Sequence, residues 1–107
     1  MSKVKISDCE EMCMVVIWSK EENLCLIEIM NSVNQRFEQD WKPQTVSTFL
    51  HRLILKGYLS MYRKGRITYY APLVAREEYA KKCMKEYIDR ICDGDKKMAI
   101  ELLENGL

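Results

Sequence analysis

Hydrophobic positions in the first half of the chain repeat at helical spacing and predict three helices. Ser7 and Glu10 fit a capping box that begins the first helix. After a turn, a second helix is predicted over residues 26–37, and a third begins at Pro43 and ends before Gly57. The residues predicted to face the core from these helices are Cys9, Met12, Cys13, Val16, Ile17, Ile27, Met30, Val33, Val46, Phe49, Leu50, Leu53 and Ile54.

After the third helix, the pattern changes to two short runs rich in aromatic and β-branched residues. The runs, residues 58–63 and 67–73, flank Lys64-Gly65-Arg66 and predict a β-hairpin in which the glycine supplies the positive φ of the turn. Three helices followed by a hairpin are the element order of a winged helix-turn-helix. We therefore predict a mainly α fold with a small β-hairpin, and a winged-helix DNA-binding domain over residues 1–74.

The last third of the chain returns to helical periodicity. Helices are predicted over residues 76–92 and 96–104, with a break at Asp93-Gly94-Asp95. A tail this short cannot bury its own apolar side, so we expect residues 75–107 to form a helical dimerisation tail rather than to fold back on the winged helix, which is the alternative. The predicted dimer-interface residues are Tyr79, Cys83, Tyr87, Ile88, Ile91, Met98, Leu102 and Leu103.

Composition restricts where such a protein works. The 107 residues are 48% hydrophobic and 31% charged, which is typical of an ordered globular protein. The longest apolar run, Met12 to Trp18, is far shorter than the ~20 residues of a membrane-spanning helix, so membrane insertion is not expected. Five cysteines without a CxxC pair, and an N-terminus without a secretory signal, favour reduced thiols and a cytoplasmic location.

The formal net charge of +1 is distributed unevenly along the chain. Residues 1–41 carry four bases and eight acids, and residues 77–107 carry six bases and eight acids. The segment between them, residues 42–76, carries seven bases and no acid. A segment of this length without carboxylates predicts a surface that faces a polyanion. The alternative is a chance clustering of bases on a solvated face.

The predicted third helix and hairpin place the basic segment in a form that suits DNA. Short hydroxyl side chains near the start of a helix allow close approach to a major groove, and bases around a hairpin tip suit contacts with the phosphate backbone. Double-stranded DNA is favoured over RNA because an α-helix does not fit the narrow major groove of A-form RNA. The candidate DNA-binding residues are Lys42, Gln44, Thr45, Ser47, Thr48, Arg52, Arg63, Lys64 and Arg66.

Other chemistry has little support in the sequence. Cys9 and Cys13 have a spacing that suits two metal ligands, but they also belong to the core stripe, and packing is the favoured interpretation. His51 is the only histidine, which is a poor basis for a zinc cluster or a catalytic triad. The sequence has no glycine-rich phosphate loop. We predict no enzyme, no catalytic or metal-binding residues and no cofactor.

A set of short motifs occurs in a fixed order along nearly the whole chain. The motifs are Ile6-Ser7-Asp8, Val16-Ile17-Trp18, Trp41, Pro43-Gln44-Thr45-Val46-Ser47-Thr48, Leu50-His51-Arg52-Leu53, Lys56-Gly57, Lys64-Gly65-Arg66, Tyr70-Ala71-Pro72-Leu73-Val74, Glu78-Tyr79 and Asp93-Gly94. In these motifs and their order the chain resembles the BlaI/MecI/CopY family of transcriptional repressors, which includes the penicillinase repressors.

The resemblance implies a homodimer that binds a palindromic operator and blocks transcription, with the dimer interface on residues 76–107. Some members of the family are controlled by a membrane sensor or protease system that acts on the tail. Here Glu101-Leu102 stand in place of the Asn-Phe bond that is cleaved in β-lactam-responsive members, so this chain departs from the family at that bond. The family tail usually continues beyond the position of Leu107, so we expect a short tail. The alternative function is that of a winged-helix protein-interaction adaptor without specific DNA binding, anchored by Leu55 and Tyr62. The DNA contacts that the resemblance implies are Thr45, Thr48, Arg52, Arg63 and Arg66.

Overall fold

The computed structural model describes residues 5–106, which form five helices and three strands in two compact units. The first unit ends at Ala75 and the second begins at Arg76. None of the helices in the described range combines the length and the apolar character that a bilayer crossing requires. The elements are α1 (Asp8–Trp18), β1 (Leu24–Cys25), α2 (Leu26–Phe37), α3 (Pro43–Leu55), β2 (Leu59–Lys64), β3 (Ile67–Pro72), α4 (Arg76–Ile91) and α5 (Lys96–Gly106).

Helix α1 begins with the predicted capping box. The Ser7 hydroxyl accepts a hydrogen bond from the Glu10 amide at 3.2 Å, and the Glu10 carboxylate accepts one from the Ser7 amide at 2.9 Å. The predicted core stripe is partly wrong, because Cys9 and Met12 are only half-buried whereas Met14 and Glu10 are fully buried. Since α1 packs against both α2 and α3, its buried arc is wider than a single stripe.

The predicted inward side of helix α2 is correct at Val33 and Met30 and wrong at Ile27. Ile29 and Val33 are fully buried, whereas Ile27, predicted to face inward, is 49% exposed. Two residues along a helix correspond to a rotation of about 200°, so a helix that buries Ile29 turns Ile27 toward solvent.

Helix α3 ends as predicted, on a left-handed glycine. Gly57 has φ of 84°, and its amide donates to the Ile54 carbonyl at 3.0 Å. The Tyr58 amide donates to the Leu53 carbonyl at 2.9 Å, which completes a Schellman motif. Because this amide closes the helix, strand β2 begins at Leu59, one residue later than predicted.

The hairpin is confirmed, and it belongs to a larger sheet than the sequence indicated. Strands β2 and β3 pair antiparallel, and Gly65 at the turn has φ of 67°. The predicted second strand ran to Leu73, but β3 ends at Pro72. A third strand, β1, pairs antiparallel with β3 to give the order β1-β3-β2. The prediction assigned a turn here, because two residues are too few to show a strand period.

The second unit is a pair of helices that leaves much of its apolar surface uncovered. Helix α4 buries none of its own side chains, and within residues 76–106 only Cys92 and Ala99 are buried. Asp93 and Gly94 both have positive φ, which forms the predicted break between the helices. Helix α4 ends one residue before the predicted Cys92. Helix α5 begins on a side-chain cap, in which the Asp95 carboxylate accepts from the Met98 amide at 3.0 Å, and it continues past the predicted Glu104.

Candidate nucleic-acid interface

The N-terminal end of α3 is held in place by a side chain of α2. The Asn34 amide group bonds both backbone groups of Trp41: its oxygen accepts from the Trp41 amide at 2.9 Å, and its nitrogen donates to the Trp41 carbonyl at 3.1 Å. The Trp41 ring then packs on Phe49 of α3, with ring centroids 5.0 Å apart. Together these contacts fix the direction in which the chain enters α3, two residues before Pro43.

The C-terminal end of α3 is held by a buried ion pair with α1. The Lys56 ammonium donates to Glu10 Oε1 at 2.6 Å, and the Glu10 side chain is only 1% exposed. Burial alone would raise the pKa of Glu10, but the hydrogen bonds from Lys56 and Ser7 outweigh burial, and the pKa lies below its usual value. Glu10 is therefore ionised at neutral pH, and its negative charge neutralises the positive charge of Lys56.

The outer face of α3 presents most of the candidate residues to solvent. Lys42, Gln44, Ser47, Thr48 and Arg52 are exposed, whereas Thr45 is half-buried on the flank of the helix. The Thr48 hydroxyl donates to the Gln44 carbonyl at 3.1 Å, so in this arrangement the oxygen of Thr48 can still accept a hydrogen bond. A face of this composition offers donors and acceptors to base edges and positive charge to phosphates.

Two outward residues of α3 are absent from the predicted site. His51 is exposed, and Leu55 is 73% exposed at the end of the helix. Both lie on the side of α3 opposite Val46 and Leu50, which are fully buried. The helical period already predicts both on the outer face, but the candidate DNA-binding residues do not include them, and Leu55 is assigned to the alternative adaptor function.

The wing, residues 59–72, is braced by aromatic contacts on one of its faces. The rings of Tyr62 and Tyr69 stack with centroids 5.7 Å apart, and the Asn23 amide donates to the Tyr62 hydroxyl at 3.1 Å. Side chains alternate along a strand, so Arg63 shares the face of buried Leu59, whereas Lys64 lies on the face of Tyr62. With Arg66 at the turn, the exposed bases of the wing therefore surround its tip.

Two of the seven bases of residues 42–76 are paired with carboxylates in the structure. Lys56, one of the seven bases of residues 42–76 but not a candidate DNA-binding residue, is paired with Glu10, 46 residues away along the chain. The Lys42 ammonium lies 3.4 Å from Asp40 Oδ1, but both side chains are largely exposed. Because an exposed pair of this kind is weak, Lys42 can still bind a phosphate. The other bases of residues 42–76 are exposed.

Of the two cysteines of α1, Cys13 is a buried core residue and Cys9 is half-buried. Burial, with smaller effects from Cys9 and Glu10, raises the pKa of Cys13 to about 12, so its thiol is protonated at neutral pH and unsuited to metal binding. In residues 5–106 no three His, Cys, Asp or Glu side chains come together in a way that could hold a metal ion.

The sequence profile of the penicillinase repressors matches residues 6–105. The chain belongs to the penicillinase repressor family. The family resemblance inferred from the ordered motifs is thereby confirmed. Penicillinase repressors are transcriptional repressors and not enzymes, so this member is a DNA-binding repressor.

Two relatives are similar to this chain over most of its length. The penicillinase repressor of Bacillus licheniformis is 32% identical over 107 residues, which cover 98% of this chain and 81% of the relative. The methicillin resistance regulatory protein MecI of Staphylococcus aureus is 29% identical over 93 residues, covering 84% of this chain and 71% of the relative.

Solved structures of penicillinase repressors show the winged-helix fold. The DNA-binding domain of the repressor BlaI superposes with a TM-score of 0.61 at 34% identity, covering 74% of this chain and 94% of the other. The monomeric form of Bacillus licheniformis BlaI, solved in complex with the blaP half-operator, superposes with a TM-score of 0.60 at 32% identity. That match covers 73% of this chain and 92% of the other. The mainly α winged-helix fold class is confirmed.

Proposed function

We propose that the protein represses transcription as a cytoplasmic homodimer bound to a palindromic operator. In each copy, residues 1–74 form the DNA-binding domain, which places α3 in a major-groove half-site and the wing on flanking DNA. Residues 75–107 form the dimerisation tail. The observation that carries the proposal is the exposed outer face of α3, which belongs to the carboxylate-free segment of residues 42–76.

The residue types on α3 and the wing suit two kinds of DNA contact, with base edges and with phosphates. Arg52 suits guanine O6 and N7, and Gln44 suits adenine N6 and N7, because each can make two hydrogen bonds to one base. Thr45, Ser47 and Thr48 suit closer polar contacts. Lys42 at the start of α3 and the wing bases Arg63, Lys64 and Arg66 suit phosphates, which position the protein without reading sequence.

A dimer brings twice as many base-reading side chains to the operator as a single copy does. One copy offers few base-reading side chains, whereas two copies related by a two-fold axis read two half-sites about 34 Å apart, or a multiple of that spacing. The tail supports such pairing because it carries an open apolar groove of about 510 Å³. Of the predicted dimer-interface residues, the groove is lined by Cys83, Tyr87, Ile88, Leu102 and Leu103.

Selection from random duplexes tests the proposed function directly. The purified chain is incubated at low salt with a pool of random-sequence DNA duplexes, and retained molecules are amplified and sequenced. We expect an enriched palindrome with two equal half-sites about one helical turn apart. A single unrepeated site would contradict the dimer. Retention of no duplex would contradict DNA binding and favour the protein-interaction adaptor.

Replacing Arg52 with Ala is expected to weaken binding to the enriched duplex by about 1–3 kcal/mol, because a base contact is lost. The matched variant Lys64→Ala should instead weaken binding to enriched and random duplexes alike and reduce the salt dependence, because a phosphate contact is lost. Fluorescence anisotropy over a series of salt concentrations measures both quantities. If Arg52→Ala loses equal affinity for the enriched and the random duplexes, Arg52 contacts the phosphate backbone of the DNA and not a base.

A further inference from the structure

The sole histidine lies on the side of α3 that faces away from the core. At about 100° per residue, Gln44, Thr48, His51 and Leu55 project within about 60° of one another. All four are exposed, and they lie opposite the buried side chains of Val46, Leu50 and Leu53. His51 lies at one edge of this stripe and Arg52 lies beyond the other edge, so each is about 50° from the direction opposite the core. In a helix seated in a groove, the side opposite the core faces the base edges, so both residues can reach them.

The surroundings of His51 leave its ring free to bind a partner. Helices α1 and α2 and strand β2 pack on α3 from its buried side, away from His51. Of their acidic groups, Glu10 is engaged by Lys56, and Glu28 accepts from the Cys25 amide at 2.9 Å. The remaining charged groups of these elements are Asp8 and Glu11 on α1, Arg36 on α2, and Arg63 and Lys64 on β2.

We propose that His51 is a base-reading residue of α3 that donates a hydrogen bond to a guanine in the major groove. This inference rests on the proposed function, in which α3 enters that groove. Guanine presents two acceptors there, O6 and N7, and an imidazolium is a donor at both ring nitrogens. The two acceptors of the guanine favour the ring that is a donor at both nitrogens, so binding to the enriched duplex is coupled to the uptake of a proton.

Three expectations follow from the chemistry of imidazole, which ordinarily titrates between pH 5 and 8. Affinity for the enriched duplex rises about fivefold to tenfold between about pH 8 and about pH 5.5. At the lower pH the plot of log affinity against log salt steepens by about 0.9, because one more cation faces DNA. The random-sequence pool shows a much smaller pH effect, because its members lack the guanine at that position.

The test compares the wild type with His51→Gln and His51→Lys by fluorescence anisotropy on the enriched duplex and on the random pool. His51→Gln keeps a hydrogen-bonding side chain that does not titrate, and it should remove the pH effect. His51→Lys carries a permanent charge and should bind at about pH 8 as tightly as the wild type does at about pH 5.5. Thermal melting of each variant checks the fold, which we expect unchanged because position 51 is exposed.

Repeating the selection with His51→Gln supplies a second measurement. The consensus should lose its preference for guanine at one symmetric position in each half-site. An equal pH effect on both duplexes would place His51 on a phosphate and overturn the base-reading role. A pH effect that persists in His51→Gln would overturn the involvement of His51, while DNA binding itself would stand. Failure of the wild type to bind any duplex at any pH would instead overturn the proposed function.

Discussion

Leu103→Glu is expected to convert the proposed homodimer into a monomer and to weaken its binding to a two-half-site duplex by about 100-fold or more. Leu103 lines the apolar groove of the tail and is 59% exposed, so the pair of helices loses little packing when it changes. A carboxylate there must be desolvated if a second copy covers the groove, which is unfavourable. Glutamate is a good helix former, so α5 itself should persist.

The loss of affinity follows from the way two half-sites are bound. When one half of a dimer is on DNA, the other binds at a high effective concentration, which a monomer lacks. Sedimentation equilibrium measures the oligomeric state, and anisotropy measures binding to duplexes with one and with two half-sites. We expect the variant to bind the single half-site as the wild-type domain does, because α3 and the wing are unchanged.

The chain offers a matched control for this prediction. Ile100 lies on the same helix and is 54% exposed, but it does not line the groove. Ile100→Glu therefore introduces the same charge at similar exposure and should leave the dimer intact. A dimer that survives Leu103→Glu would show that the groove is not the interface. Dissociation by Ile100→Glu alone would move the interface to another side of α5.

Lys56→Met is expected to destabilise the first unit by about 3–5 kcal/mol at neutral pH, because it leaves the buried Glu10 carboxylate without its partner. Lys56 keeps 26% of its side chain exposed, whereas Glu10 keeps 1%, so the cost falls on Glu10. The matched variant Lys42→Met removes a lysine whose partner, Asp40, is exposed, and it should change stability by less than about 1 kcal/mol. Urea unfolding followed by circular dichroism measures both.

The pH dependence of stability has a definite sign in each protein. In the wild type, the folded pKa of Glu10 lies below its unfolded value, so this group stabilises the fold above the unfolded pKa and loses that effect as pH falls through the folded pKa. In Lys56→Met, Glu10 keeps the hydrogen bond from the Ser7 amide but loses its charged partner, so burial should raise its pKa relative to the wild type, and the deficit should shrink on acidification. A deficit that stays constant with pH, or one no larger than that of Lys42→Met, would contradict the role assigned to the pair.

The ion pair also connects stability to DNA binding. Lys56 is the C-terminal capping position of α3, and Glu10 lies in the first turn of α1, so the pair joins the end of α3 to α1. The Asn34 amide and the Trp41–Phe49 contact do the same at the start of α3. Both ends of the helix are therefore held by groups from other parts of the chain, and its exposed face is presented in one orientation.

The sequence by itself determined the local elements, because their signals are contained in short stretches. The capping box at Ser7 and Glu10, the glycine that ends α3, the hairpin turn at Gly65 and the break after α4 each depend on neighbours a few residues apart. The period of α3 likewise specified its buried side, where Val46, Leu50 and Leu53 are fully buried. These features are decided by backbone geometry and side-chain period.

Only the tertiary structure decided which residues that are distant in the chain contact one another. It paired Glu10 with Lys56 and so neutralised one of the seven bases of residues 42–76, it placed β1 beside β3, and it turned Ile27 outward. The ion pair and the strand have no local signal, because a buried charge is tolerated only where a partner arrives from elsewhere, and a two-residue strand forms only where an edge is open. The surface proposed to face DNA was therefore indicated by the sequence and completed by packing.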